Sequence, residues 1–201
     1  MRRGEATKER VTRTALELFV EKGVRETTIR DIAAAAGVAE GTLYRHYTSK
    51  DALAEALFRE NYERMAAKLL AIRQSSPDFR SALDGMIRFF CRSFDDDWVL
   101  FSYLLLSQHR YLRQRTAGEP SAYEALKAAI ELAMERREIP RRDPDLAASM
   151  VLGLVLQPAV SKVYGRLDGD LSAHAAELSG ACCTVLAMPA LRARDEALEL
   201  D

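Results

Sequence analysis

Thr27 to Lys50 reads TTIRDIAAAAGVAEGTLYRHYTSK. Ile29, Ile32, Ala33 and Ala36 recur at helical spacing, Gly37 ends that run, and Leu43 and Tyr47 resume it. The stretch predicts two short helices joined by a tight turn and running into the start of a third. Thr28 stands three residues before Asp31, so its hydroxyl can cap the first helix while the carboxylate lies over the positive end. Gly37 suits the left-handed conformation that closes a helix, and Val38 turns inward as a staple between the two helices. The second helix is read as Glu40 to about Tyr47, with Leu43 and Tyr47 inward. That leaves Glu40, Gly41, Thr42, Tyr44, Arg45 and His46 on the open arc.

Two helices separated by a glycine turn form a helix-turn-helix unit, whose second helix enters the DNA major groove. Taken singly, each polar residue on that arc is a solvated side chain; taken together they are a reading surface. Arg45 has the reach for bidentate bonding to a guanine edge, Thr42 suits a thymine methyl or a phosphate, and Glu40 can accept from cytosine. Tyr44, His46 and Lys50 suit phosphate contacts, as does Thr28 at a helix N-terminus, and Arg30 can reach backbone or base. Gly41 allows close approach of another backbone.

GVAEGTLYRHYTSKDAL resembles the signature of the tetracycline-repressor (TetR) family of bacterial transcriptional regulators, and TTIRDIAAAAGV fits the same pattern. The resemblance is close over about Thr7 to Phe58 and beyond that rests on length and helical layout. It implies a DNA-binding head over residues 1–50 and an effector-binding, dimerising helical body over 51–201. It also implies an effector cavity in that body and a four-helix dimer bundle made by the two last helices of each subunit. Ala39 departs from the Ser or Thr usual before the recognition helix, which forfeits about 1 kcal/mol of capping.

The remainder of the chain fits an all-α protein. Apolar Val11, Ala15, Leu18 and Phe19 mark a first helix from about Thr7 to Lys22, preceded by a short basic arm over residues 1–4. Ser49 can cap a long helix from Lys50 to about Gln74, a lever between head and body. Five further helices are expected: Asp78 to Phe94, Trp98 to Arg113, Pro120 to Glu138, Pro144 to Tyr164, and a last one capped by Ser172 and ended by Pro189. A loop with Gly118 spans residues 114–119. LAASMVLGLVLQPAVSKVY is apolar nearly all round, and Ala173, Ala176, Gly180 and Ala181 on the final helix allow close approach of a partner.

Composition sets outer bounds. Hydrophobic residues at 48% and charged residues at 29% match ordinary globular proteins, and a net charge of -1 argues against a wholesale polyanion binder. Residues 1–50 nevertheless hold ten Lys/Arg against seven Asp/Glu, so the basic surplus sits with the head. No apolar run reaches the roughly 18 residues of a membrane span, and MRRGEATKER lacks the apolar core of a signal peptide. The expected location is the cytoplasm, with no membrane partner. Cys91, Cys182 and Cys183 have no metal-ligand spacing and read as buried thiols.

Phe90, Phe94, Trp98, Phe101, Tyr103 and His109 gather aromatics and polar tips over a short span, and Gln157 interrupts the apolar run opposite. Singly these are core residues. As a set, and with the cavity that the resemblance implies, they are the candidate site for a small hydrophobic effector. No Gly-rich phosphate loop, nucleophile with a His partner or metal-spaced cluster is present, so no catalytic residue, cofactor or metal is expected. The sequence therefore reads as a homodimeric repressor that binds a near-palindromic operator and is released by an effector. Two other readings stay open: a helical protein that binds a small molecule or partner without reading DNA, and a small helical enzyme.

Overall fold

A computed structural model describes residues 3–112 and 121–187. The described residues form α1 (Arg3–Glu21), α2 (Ile29–Ala36), α3 (Glu40–Tyr44), α4 (Lys50–Ser75), α5 (Phe79–Asp96), α6 (Trp98–Leu112), α7 (Ala122–Glu135), α8 (Pro144–Val163) and α9 (Ala175–Ala187). A single 3-10 turn, Leu171–His174, leads into α9, and there is no strand among these residues. The all-α reading holds, and the long lever helix is α4.

Local chemistry accounts for the boundaries that moved. Arg3 and Gly4 are helical, with Glu5 in the favourable first turn, so they are not a frayed arm; Met1 and Arg2 lie outside the described residues. Ser121, and not Pro120, starts α7, its hydroxyl accepting the Glu124 N–H at 3.0 Å. Pro120, Arg113 and the expected loop over 114–119 lie outside the described residues. α7 stops at Glu135, before Glu138, because Arg137 takes a positive φ of 59°. There the N–H groups of Arg137 and Glu138 turn back onto the carbonyls of Met134 and Ala133. Ser172 does not cap the last helix: it sits inside the 3-10 turn, where its N–H and that of Leu171 donate to the Asp95 carboxylate at 2.8 Å each. Pro189 lies outside the described residues.

Two apolar clusters form the interior. The first joins Val11, Ala15, Leu16 and Phe19 of α1 to Ile29, Ile32, Ala36, Leu43 and the first half of α4 (Leu53, Leu57, Phe58, Tyr62), and it takes in Tyr103, Leu104 and Tyr111 of α6. The second fills the body with Leu83, Met86, Ile87, Phe90 and Phe94 of α5, Ile130 of α7, Val151 and Val155 of α8, and Cys182 and Leu186 of α9. Met65 and Leu69 of α4 pack against both. α4 and α6 therefore each belong to head and body at once. At the α4–α5 crossing a Cβ on Gly85 would stand 2.9 Å from Ile72 Cγ2, so glycine sets how closely these helices approach.

α8 is long and apolar enough, by length and composition alone, to cross a membrane. The expectation that no apolar run reaches that length does not hold here, because Gln157 and Pro158 interrupt the apolar sequence without ending the helix. The helix packs against α7 and α9 and buries Ala147, Ala148, Val151, Val155 and Ala159. Its other side is open, with Leu146 56% and Met150 41% exposed beside Gly153 and Gln157. Ala173, Ala176 and Gly180 lie open on the adjoining turn and α9.

Candidate functional site

The head presents α3 on a fixed apolar base. Thr28 and Asp31 make the reciprocal cap expected of them: Asp31 N–H donates to the Thr28 hydroxyl at 3.1 Å, and Thr28 N–H donates to the Asp31 carboxylate at 2.9 Å. These bonds from Thr28 hold the Asp31 carboxyl below the usual carboxylate range. Gly37 has φ 63° and closes α2, with Val38 N–H reaching the Ala33 carbonyl. Thr27, passed over in the sequence reading, is fully buried, and its hydroxyl donates to the Gly23 carbonyl at 2.8 Å, fixing the end of α1 to the start of α2. A buried threonine in a polar run carries no periodic signal.

α3 is shorter than the Glu40 to Tyr47 helix expected. It ends at Tyr44, and the Leu43 carbonyl then accepts the N–H groups of both His46 and Tyr47 in a last tightened turn. Leu43 is buried and Tyr47 half-buried; burial, then Glu60, pushes the Tyr47 phenol up. Ala39 gives no side-chain cap. Glu40, Gly41, Tyr44, Arg45 and His46 are all exposed, Thr42 is half-buried, and Thr28 and Arg30 are exposed on the neighbouring α2 end. Nothing in the chain lies within 4 Å of where a Gly41 Cβ would stand, so that approach is open. Arg45 reaches Thr42 only at 3.5 Å, too long to hold the guanidinium in place. Lys50 is already engaged, its ammonium donating to the Arg25 carbonyl. Thr7 and Lys8 of α1 flank Thr42 and His46, an adjacency that linear spacing does not reveal.

The body holds a partly open cavity of about 400 Å³ lined by α4, α5, α6, α7 and α8. Of the seven candidate effector residues, Phe90 and Phe101 line it. Phe94 is instead buried core, edge-on to Trp98 and Phe101, and Trp98 lies at the surface, 40% exposed. Tyr103 faces the head: it stacks on Phe19 and donates its hydroxyl to the Ala54 carbonyl at 2.6 Å, its phenol pushed up by burial. His109 and Gln157 are exposed on outer faces. One residue of helical rotation separates His109 from Gln108, a polar side chain that does line the cavity. Met65, Leu69, Met86, Leu105, Val151 and Leu152 are lining residues that the aromatic search passed over, although each lies on an apolar helical stripe.

Head and body are tied at α6. Arg13 of α1 donates to Asp97 at 2.6 Å, just before the helix, and Arg110 near its end donates to Asp51 of α4 at 3.0 Å. Elsewhere Cys91 and Cys182 are buried and their thiols pushed up to about 11 by desolvation, which keeps them neutral; Cys183 is half-buried.

Residues 11–57, which hold the whole α2–α3 unit and its apolar base, match the family model described as bacterial regulatory proteins, tetR family. The head of the chain is that of the TetR family. Over 73 residues it is 38% identical to the HTH-type transcriptional repressor KstR2 of Rhodococcus jostii, a match covering 36% of this chain and 36% of that one. The chain thus spans about a third of that relative's length. In fold, the chain superposes on the fatty acid degradation regulator FadR of Bacillus halodurans with a TM-score of 0.76 at 20% identity, over 94% of this chain and 97% of that one. FadR of Bacillus subtilis, solved in complex with stearoyl-CoA, gives 0.73 at 20% identity, over 87% and 97%. These solved TetR-type neighbours confirm an all-α fold with an N-terminal helix-turn-helix and a helical C-terminal body.

Proposed function

We propose that the chain is a homodimeric transcriptional repressor that binds a near-palindromic operator and leaves it when a small molecule fills the body cavity. The observation that carries this reading is the open polar arc of α3, Glu40 to His46, set on a buried Leu43 within the matched head. Arg45, Thr42 and Glu40 read base edges; Thr28, Arg30, Tyr44, His46, Lys50 and the flanking Lys8 position the phosphates. Gly41 lets the DNA backbone come close. A second copy covers the open apolar faces of α8 and α9, so two α3 helices meet half-sites about one helical turn or more apart. The head spans residues 1–50 and the body 51–201, and the protein works in the cytoplasm as a binding protein without catalytic activity.

The test is binding of the purified protein to the DNA just upstream of its own coding region, at two salt concentrations, beside a random duplex. The expected result is saturable binding that exceeds the random duplex by ~10³ or more. Equal, weak binding to both duplexes, together with no enriched site in a genome-wide selection of bound fragments, would overturn the reading.

A further inference from the structure

The cavity is selective in a way its position alone does not announce. Among the described residues that line it there is no Lys, Arg or His, and its one carboxylate, Glu124, is exposed. A carboxylate or phosphate drawn inside would leave water with no countercharge from these described residues, which disfavours it against an uncharged group. Apart from Gln108, Ser121 and the hydroxyls of Tyr62 and Tyr123, the wall is aliphatic, aromatic and thioether, with Met65 and Met86 able to adjust to irregular shapes. Tyr123 also lines it, but its hydroxyl already donates to Asp145 at 2.5 Å. The half-buried amide of Gln108 has no hydrogen-bond partner among the described residues. It offers one donor face and one acceptor to whatever enters.

We infer that the cavity takes an uncharged, largely hydrocarbon molecule carrying a carbonyl or hydroxyl group, which Gln108 orients. The inference rests on the proposed function for its regulatory meaning, but not for its chemistry. Scaling from the ~150 Å³ cavity that holds benzene, a volume of about 400 Å³ admits roughly 16 carbon atoms. Such a group can be a free neutral lipid or the acyl arm of a charged carrier that stays outside.

The test is calorimetric titration of the full chain, without DNA, with dodecan-1-ol, dodecanoate and dodecanoyl-coenzyme A near neutral pH. The alcohol is expected to bind, and dodecanoate to bind more weakly by about tenfold or more. Binding of both the alcohol and the thioester supports an acyl arm; binding of the alcohol alone supports a free neutral lipid. Dodecanoate binding as tightly as the alcohol, or no binding of the alcohol, overturns the inference. The variant Gln108→Leu, on a half-buried site that tolerates an apolar side chain, should weaken the alcohol about five- to tenfold. Unchanged affinity would remove Gln108 from the orienting role. Operator affinity is then measured at saturating alcohol: no change there would sink the regulatory reading and leave the cavity chemistry standing.

Discussion

At Ala39 the head lacks a bond that its neighbours make. The residue has the extended conformation of an N-cap, φ -72° and ψ 143°, without a side-chain acceptor. Ala39→Ser should therefore stabilise the protein by about 1 kcal/mol in denaturant unfolding; an unchanged midpoint would mean that the hydroxyl does not reach the α3 amides. Arg45 and Lys50 differ in a second way. Arg45 is exposed and barely held by Thr42, which leaves its guanidinium free to make two bonds to one base. Arg45→Ala should cost about 1 to 3 kcal/mol on the operator and relax its sequence preference. Lys50 is anchored on the Arg25 carbonyl, a point charge at one place on the surface, so Lys50→Ala should weaken operator and random duplex alike. A base-reading Arg45 is ruled out if its loss is equal on both duplexes in a competition assay.

Among the elements, helices that declare themselves by caps and periodic apolar faces are legible: Thr28 and Ser49 each accept an N–H at the start of a helix. What the sequence could not supply was contact across distance. Asp95 stands in a run of three aspartates at the end of α5, and nothing in that run announces that its carboxylate closes the far turn at Leu171 and Ser172. The cavity was misplaced for a related reason. Aromatic residues signal burial without saying which side of a helix faces a void, so Tyr103 was read as ligand-facing when it is fastened to α4. Asp95→Asn should destabilise the docking of α9 by about 1 to 2 kcal/mol. Burial pushes the Asp95 carboxyl up, but the bonds from Ser172 and Leu171 outweigh it and leave the carboxyl below its ordinary 3.8. A carboxyl depressed in the folded state stabilises fully above its unfolded value, and loses that contribution as pH falls through the folded one. The wild type should thus lose its advantage over Asp95→Asn only below about that value, and thermal melts across the acid range will show whether the gap closes there. On the open face of α8, Met150→Glu should convert the proposed dimer to a monomer in light scattering, because in that dimer the charge would be buried against a copy of itself.

Over the whole molecule, α6 has one face on the cavity and the other in the core of the head. Phe101, Leu105 and Gln108 line the void, Tyr103 and Tyr111 pack with α1 and α4, and Leu104 belongs to both sets. A ligand that displaces α6 must therefore disturb the Arg13–Asp97 and Arg110–Asp51 pairs or carry α1 and α4 with it. Both pairs are largely exposed, and each contributes about 1 kcal/mol or less to stability, so their removal should leave the fold intact. Their effect would lie in coupling, since a ligand shifts operator affinity only by as much as it prefers one arrangement of α6 over the other. In the double variant Arg13→Ala/Arg110→Ala, ligand affinity in the absence of DNA should stay close to wild type, while the ligand's effect on operator affinity should fall several-fold toward none. Thermodynamic reciprocity gives the check: whatever factor the ligand loses on operator binding, the operator must lose on ligand binding. Both factors are measurable by titration in either order. If both are unchanged in the double variant, the two ion pairs are passive, and the coupling runs through the buried Tyr103 bond to Ala54 and the packing around it.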